Sequence, residues 1–229
     1  MLVSGMKKLA ENLWIKGYPL SVLGTRHGRN VTVIRLSNGD LIIHSMAPFP
    51  APDVDGIRAL GRPAWLVEAM LLHDTYAKEG RGIFAGIPFL GPEGFEEVVK
   101  FPITPLLPAP PEWAGEVEVI EIKGAPKLKE HVFLHIPSRT LIVADLVFNF
   151  SPRESGWNRI FHRYIAGFKR YPGMSRVFKF YVEDKEALRR SIDEIMSKDF
   201  SRIIVGHGNI IEVDGKHLLR RALEDAGLY

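Results

Sequence analysis

The stretch Phe200–Glu212 (FSRIIVGHGNIIE) constrains this chain more than any other. Its apolar run Ile203–Val205 reads as a buried strand, and it stops abruptly on Gly206-His207-Gly208. Two glycines let the backbone turn sharply and leave the imidazole as the side chain at the strand tip. A second run, Thr140–Val147 (TLIVADLV), reads as a strand that carries Asp145 among apolar neighbours. A buried carboxylate is costly unless it is paired or bound to a cation. In open α/β folds, ligands and chemistry gather at the carboxyl ends of strands. The two runs together therefore predict an α/β chain with a metal or hydrolytic site at its strand ends. Each residue also has a plainer use: His207 bonded to a backbone carbonyl in a tight loop, and Asp145 accepting backbone N–H groups.

Composition narrows the chemistry. With no cysteine among 229 residues, disulfides, thiolate nucleophiles and thiolate metal sites are excluded. A metal must be held by His, Asp, Glu or water, which favours zinc, iron or manganese. No apolar run approaches the ~20 residues that cross a bilayer. The N-terminal MLVSGMKKLAENLW lacks the long apolar region of a signal peptide. The expectation is a cytoplasmic protein with no membrane partner, and no sequence signal fixes an oligomeric state. The net charge of +3 is mild.

Val31–Leu36 and Asp40–His44 flank Ser37-Asn38-Gly39, a hairpin signal. Ala51–Gly61 reads as a short helix, and Trp65–Leu72 as a strand leading to His73-Asp74. Prolines crowd Ile83–Pro111 and leave room only for a short helix at Gly91–Lys100. Glu116–Ile122 alternates as a half-buried strand should. His131–Ile136 and Thr140–Phe148 form a second hairpin around Pro137-Ser138-Arg139. Gly156–Arg170 places Trp157, Phe161, Tyr164, Ile165 and Phe168 at helical spacing. Asp184–Lys198 and Lys216–Ala226 read as helices, with a short strand at Ile210–Val213. Two hairpins interrupt an alternation of strands and helices. A mixed sheet with helices on both faces fits, in a single domain over residues 1–229.

Four positions fall at predicted strand ends: His44, His73-Asp74, Asp145 and His207. No short segment can surround an ion alone, so convergence from several strand ends is what a metal needs. His131 and His135 share one strand face and read as hairpin histidines, while His27 and His217 show no partner. No Gly-x-Ser-x-Gly elbow, Walker A motif or Gly-x-Gly-x-x-Gly fingerprint is present.

Through GTRHGRNVTVIRLSNGDLIIHSMAPF, EHVFLHIPSRTLIVADLVFNF and IIVGHG, the chain resembles the metallo-β-lactamase fold superfamily, in a little-characterised branch, over most of Leu13–Gly215. The resemblance implies a four-layer αββα fold with mixed sheets. Metal-binding members carry His-x-His-x-Asp-His after a strand, a further His in a later loop, a bridging Asp and a final His. Asp145 matches the bridging Asp and His207 the final His. In Leu71-Leu72-His73-Asp74-Thr75-Tyr76 only His73 remains of the multi-ligand motif, and no His stands near Gly124-Ala125-Pro126. His44 stands where the first hairpin's closing segment usually has Asp. The implied metal set is His44, His73, Asp145 and His207, with Asp74 as a catalytic base or orienting residue. The expectation is a degenerate site for one divalent ion (zinc, iron or manganese) or for none.

Three function classes follow. The first is a non-catalytic or atypical relative that binds a small molecule or a protein in the cleft. The second is a mono-metal hydrolase acting on an ester, amide or phosphoester through a metal-bound water. The third is a nucleic-acid binder using segment 153–179, where arginines and lysines interleave with aromatics against the single acid Glu154.

Overall fold

The computed structural model describes residues 2–3, 5–151, 153–154 and 156–229. An eight-stranded sheet is built from β1 (Leu2–Val3), β2 (Met6–Ala10), β3 (Leu13–Tyr18), β6 (Arg29–Arg35), β7 (Asp40–His44), β8 (Arg62–Val67), β9 (Phe89–Gly91) and β10 (Thr104–Pro105), in that spatial order. A small ribbon of β4 (Ser21–Val22) and β5 (Thr25–Arg26) projects from the β3–β6 connection. Pairing is antiparallel from β1 to β7 and parallel from β7 to β10. A second, four-stranded sheet orders β11 (Val117–Glu121), β12 (His131–His135), β13 (Thr140–Ile142) and β14 (Arg202–Ile204), with only the β13–β14 pair parallel. Both sheets are mixed, as the interrupted alternation predicts.

The period of two along the strands decides the layering. Ile15, Ile34, Ile42 and Val67 turn to one face of the large sheet and join a core with Phe133, Leu141 and Ile203 of the small one. Their chain neighbours Trp14, Val33, Ile43 and Leu66 turn to the opposite face. There they meet Val54 and Ile57 of α1 (Ala51–Leu60), Ala77 of α2 (Ala77–Ile83) and Phe95 of α3 (Phe95–Val99). Next along the chain come two short helices, α4 (Gly156–Ile160) and α5 (Arg176–Phe180). The long helices α6 (Lys185–Ser197) and α7 (Gly215–Ala226) bring Leu188, Ile192, Leu219 and Leu223 into the core that holds the small sheet. The layers run helix, sheet, sheet, helix. Among the described residues no helix is long and apolar enough to cross a membrane.

Several elements differ from their sequence pattern. The apolar run from Thr140 pairs as a strand only to Ile142, so Asp145 stands beyond the strand end. The reason is Glu130, whose carboxylate takes the N–H groups of Ala144, Asp145 and Leu146 that a ladder would otherwise use. The Trp65–Leu72 strand likewise stops at Val67. Ile210–Val213 contributes a single bridge, Ile211 to Ile203. Helix α4 passes at Phe161–Ile165 into a π turn, which ends near Ala166 instead of reaching Arg170. That change of period rotates Tyr164 and Ile165 outward, leaving Phe161 and Phe168 as the buried aromatics of the segment.

Candidate metal centre

Three of the sequence-selected residues meet at one end of the sandwich. His73 lies in the loop after β8, Asp145 in the loop after β13, and His207 in the turn after β14. One ligand atom from each lies within 4.8 Å of the others. His73 Nε2 is 3.3 Å and His207 Nε2 3.4 Å from the same Asp145 oxygen, Oδ1. Close backbone approach makes this meeting feasible. A Cβ on Gly206 would stand 2.6 Å from the Ala144 carbonyl oxygen, so only glycine lets the two strand ends come together. Gly208, at φ +97°, completes the turn.

Hydrogen bonds set the tautomers. His207 Nδ1 is 2.6 Å from the Gly28 carbonyl oxygen, which can only accept, so Nδ1 carries the proton. Nε2 is then the ring nitrogen turned towards the Asp145 oxygen, 3.4 Å away. From that position Nε2 can either donate a proton to the carboxylate or share a cation with it. Tetrahedral zinc with ligands at ~2.0–2.1 Å spaces its donors about 3.3–3.4 Å apart, which matches both distances to Oδ1. His73 Nδ1 is buried without a hydrogen-bond partner, 3.9 Å from Glu68 Oε2. The residues present fit one divalent ion held by two imidazoles and a carboxylate.

Electrostatics around the group are set by burial. Burial lowers the His73 pKa to about 4, with Arg29 acting in the same direction and Asp145 against it. Burial works against the Asp145 charge, yet the two imidazoles hold its carboxyl well below the usual carboxylate range. Glu68 is pushed up to about 7 by burial although the Arg29 guanidinium opposes the shift. Arg29 Nη2 donates to both Glu68 oxygens, at 2.6 and 2.5 Å, and the Met46 N–H adds a third bond at 2.7 Å. Glu130, with three N–H donors and no cation, is pushed up to about 8 by burial and by the charge of Asp145.

His44 does not join the group. Its even position beside Ile42 turns it into the inter-sheet core, where its ring meets Phe133 edge-on at 4.8 Å. Burial lowers its pKa to about 3, and its Nε2 has no hydrogen-bond partner. Asp74 is exposed, and its backbone carbonyl accepts from the Ala77 N–H. His131 and His135 are buried and locally satisfied, by the Lys129 carbonyl and by Ser138 Oγ.

Above the three residues opens a cavity of about 300 Å³ lined mainly by apolar side chains, among them Leu20, Leu128, Phe148 and Phe178. Arg29 and His27 also line it, and neither stands out in the sequence. Arg29 opens a β-branched strand, and its partner Glu68 hides as one acid in LVEAM. The His27 ring sits 5.3 Å from His207 and 5.0 Å from His162. Thr25 Oγ1 donates to the Val22 carbonyl and so accepts from His27 Nδ1 at 3.1 Å, leaving His27 Nε2 as a lone pair.

This architecture recurs in solved structures. DIM-1 metallo-beta-lactamase exposed to ceftazidime superposes with a TM-score of 0.64 at 18% identity, over 96% of each chain. FIM-1 from Pseudomonas aeruginosa, in its mono-zinc form, gives 0.65 at 10% identity, over 98% of this chain and 96% of that one. This chain has the metallo-β-lactamase fold. The metallo-beta-lactamase of Hirschia baltica agrees, at 0.64 and 10% identity over 96% of this chain and 95% of its own. No protein-family model matches the chain, and no curated protein matches it in sequence. The metallo-β-lactamase fold thus fixes the architecture, and the chemistry rests on this chain's own residues.

Proposed function

We infer that the protein is a mono-metal hydrolase of an ester, amide or phosphoester. The observation that carries this reading is the Asp145 oxygen set 3.3 and 3.4 Å from two imidazole nitrogens, one of them turned there by the Gly28 carbonyl. When bound, a divalent ion supplies Lewis acidity and lowers the pKa of water. The chain supplies the rest. His73, Asp145 and His207 would hold the ion, while the Gly28 carbonyl orients one imidazole and Glu68 stands beside the other. Arg29, buried and paired with Glu68, backs the cavity wall beside His73. The apolar lining excludes water and favours a substrate with a small apolar group. The FIM-1 neighbour, described as a mono-zinc form, supports a single ion in this fold. A metal-free cleft that merely binds a small molecule or protein accounts less well for a carboxylate oxygen at ligand spacing from two imidazoles.

The test is metal content of protein purified without chelators or a His tag, followed by hydrolysis of nitrophenyl esters and phosphates. About one zinc, iron or manganese ion per chain, absent from His207→Ala, is expected. At an ion concentration ~100 times Kd, the wild type gains about 2.7 kcal/mol of stability, and His207→Ala gains none. No uptake even with excess zinc sinks the reading.

A further inference from the structure

The mouth of the cavity is ringed by exposed apolar side chains from separate segments. Leu23, 76% exposed, caps the β4–β5 turn and lines the cavity; Tyr164, 67% exposed, and Phe180, 82% exposed, lie on the same short elements as the lining residues Ile165 and Val177. Val22, Leu23, Leu72, Ile165 and Val177 all border the cavity and are all exposed. Trp157, itself half-exposed, donates from Nε1 to the Leu23 carbonyl at 2.9 Å, joining α4 to the turn. A surface of this size on one face marks a partner or a membrane.

The flanking charge decides between them. Segment 153–179 carries cations, and its single acid, Glu154, is engaged 2.6 Å from His162 Nδ1. Arg163, Arg176 and Lys179 have no carboxylate partner among the described residues. Arg163, Lys169, Arg176 and Lys179 border a shallow cavity of about 470 Å³ that adjoins the apolar mouth through Phe168. These apolar side chains come from four separate short segments and not from one helix or strand. Projecting apolar tips with Trp and Tyr, backed by unpaired cations, suit the headgroup boundary of an anionic bilayer.

We propose that this face docks on an anionic lipid surface, with the cavity opening into it. The chain would lie on the bilayer without crossing it, and substrates would enter the apolar cavity from the lipid side. Docking does not depend on the metal reading, because none of these residues holds the ion. Co-sedimentation with vesicles of phosphatidylcholine alone, or of equal parts phosphatidylcholine and phosphatidylglycerol, tests it on the whole protein before and after chelation. Binding to the anionic vesicles is expected in both states, and weak binding to neutral ones. At ~1 kcal/mol for each cation near the surface, Arg163→Gln with Lys179→Gln reduces partitioning about 25-fold. Leu23→Glu with Phe180→Glu abolishes it. Both pairs are exposed and should melt with the wild type. Absence of wild-type binding to anionic vesicles overturns the proposal, as does binding unchanged in either double variant. Dimerisation or oligonucleotide binding through this face, with vesicles ignored, also overturns it.

Discussion

Arg29 and Glu68 form a fully buried ion pair, and their energetics can be worked out from its geometry. Each side chain is sealed from water, and one guanidinium nitrogen serves both carboxylate oxygens. Removing one partner leaves an uncompensated buried charge and costs about 3–5 kcal/mol. Arg29→Met and Glu68→Leu, each alone, should therefore lose that much. In a domain of this size the loss corresponds to a fall in Tm on the order of 10 °C. The double variant removes both charges and leaves the Met46 N–H without its acceptor, at a cost of about 1–2 kcal/mol. It should thus recover to within about 2 kcal/mol of the wild type, far from the sum of the singles. The assay is urea unfolding of all four proteins at pH 8, above the Glu68 value of about 7, so that the carboxylate is ionised. Equal m-values license the comparison. Additive losses in the double variant would refute the reasoning, since they would mean that the two charges do not compensate each other.

Three further outcomes follow from the geometry. Burial holds His135 down to about 4 and His44 to about 3. Their folded values lie below the usual ~6.5, so the stability they confer is present above that pH and lost as pH falls towards 4 and 3. His135→Gln should flatten the upper part of that acid limb, by at most ~3 kcal/mol, in chemical melts between pH 7 and 4; an unchanged slope would discard the assignment. Glu130→Gln offers one carbonyl oxygen in place of two, so one of the Ala144, Asp145 and Leu146 N–H groups loses its acceptor. A loss of ~1–3 kcal/mol and weaker zinc uptake are expected by titration calorimetry, and wild-type affinity would show that the loop holds itself. Gly206→Ala forces a Cβ against the Ala144 carbonyl 2.6 Å away, costing ~1–3 kcal/mol, and should cut zinc affinity by parting Asp145 from His207.

What the sequence discloses here is whatever has a local cause. The alternation in Val31–Leu36 and Asp40–His44 places Ile34 and Ile42 on one face and Val33 and Ile43 on the other without any knowledge of the partner sheet. The Gly-His-Gly stop likewise announces a turn where β14 ends. What stays hidden depends on distant chain. The run through Asp145 looks like a strand because its ladder is cut by Glu130, a residue outside the run. Tyr164 and Ile165 look like core because helical spacing assumes an α-helix, and the π turn shifts the phase. Arg29 acquires meaning only from Glu68, 39 positions later. His27 looks idle until the fold stands it beside His207. His44, singled out for its place at a strand end, is turned away by the same parity that buries Ile42.

The three converging residues also belong to different sheets. His73 follows a strand of the large sheet, whereas Asp145 and His207 follow strands of the small one. The Gly28 carbonyl that anchors His207 again belongs to the large sheet's side, immediately before β6. An ion held by this set is a rivet through both plates of the sandwich, in a chain that has no cysteine to make a covalent one. The grip between the sheets at that end then varies with how much free ion surrounds the protein. The cavity walls, hung from opposite plates, would tighten or slacken with it.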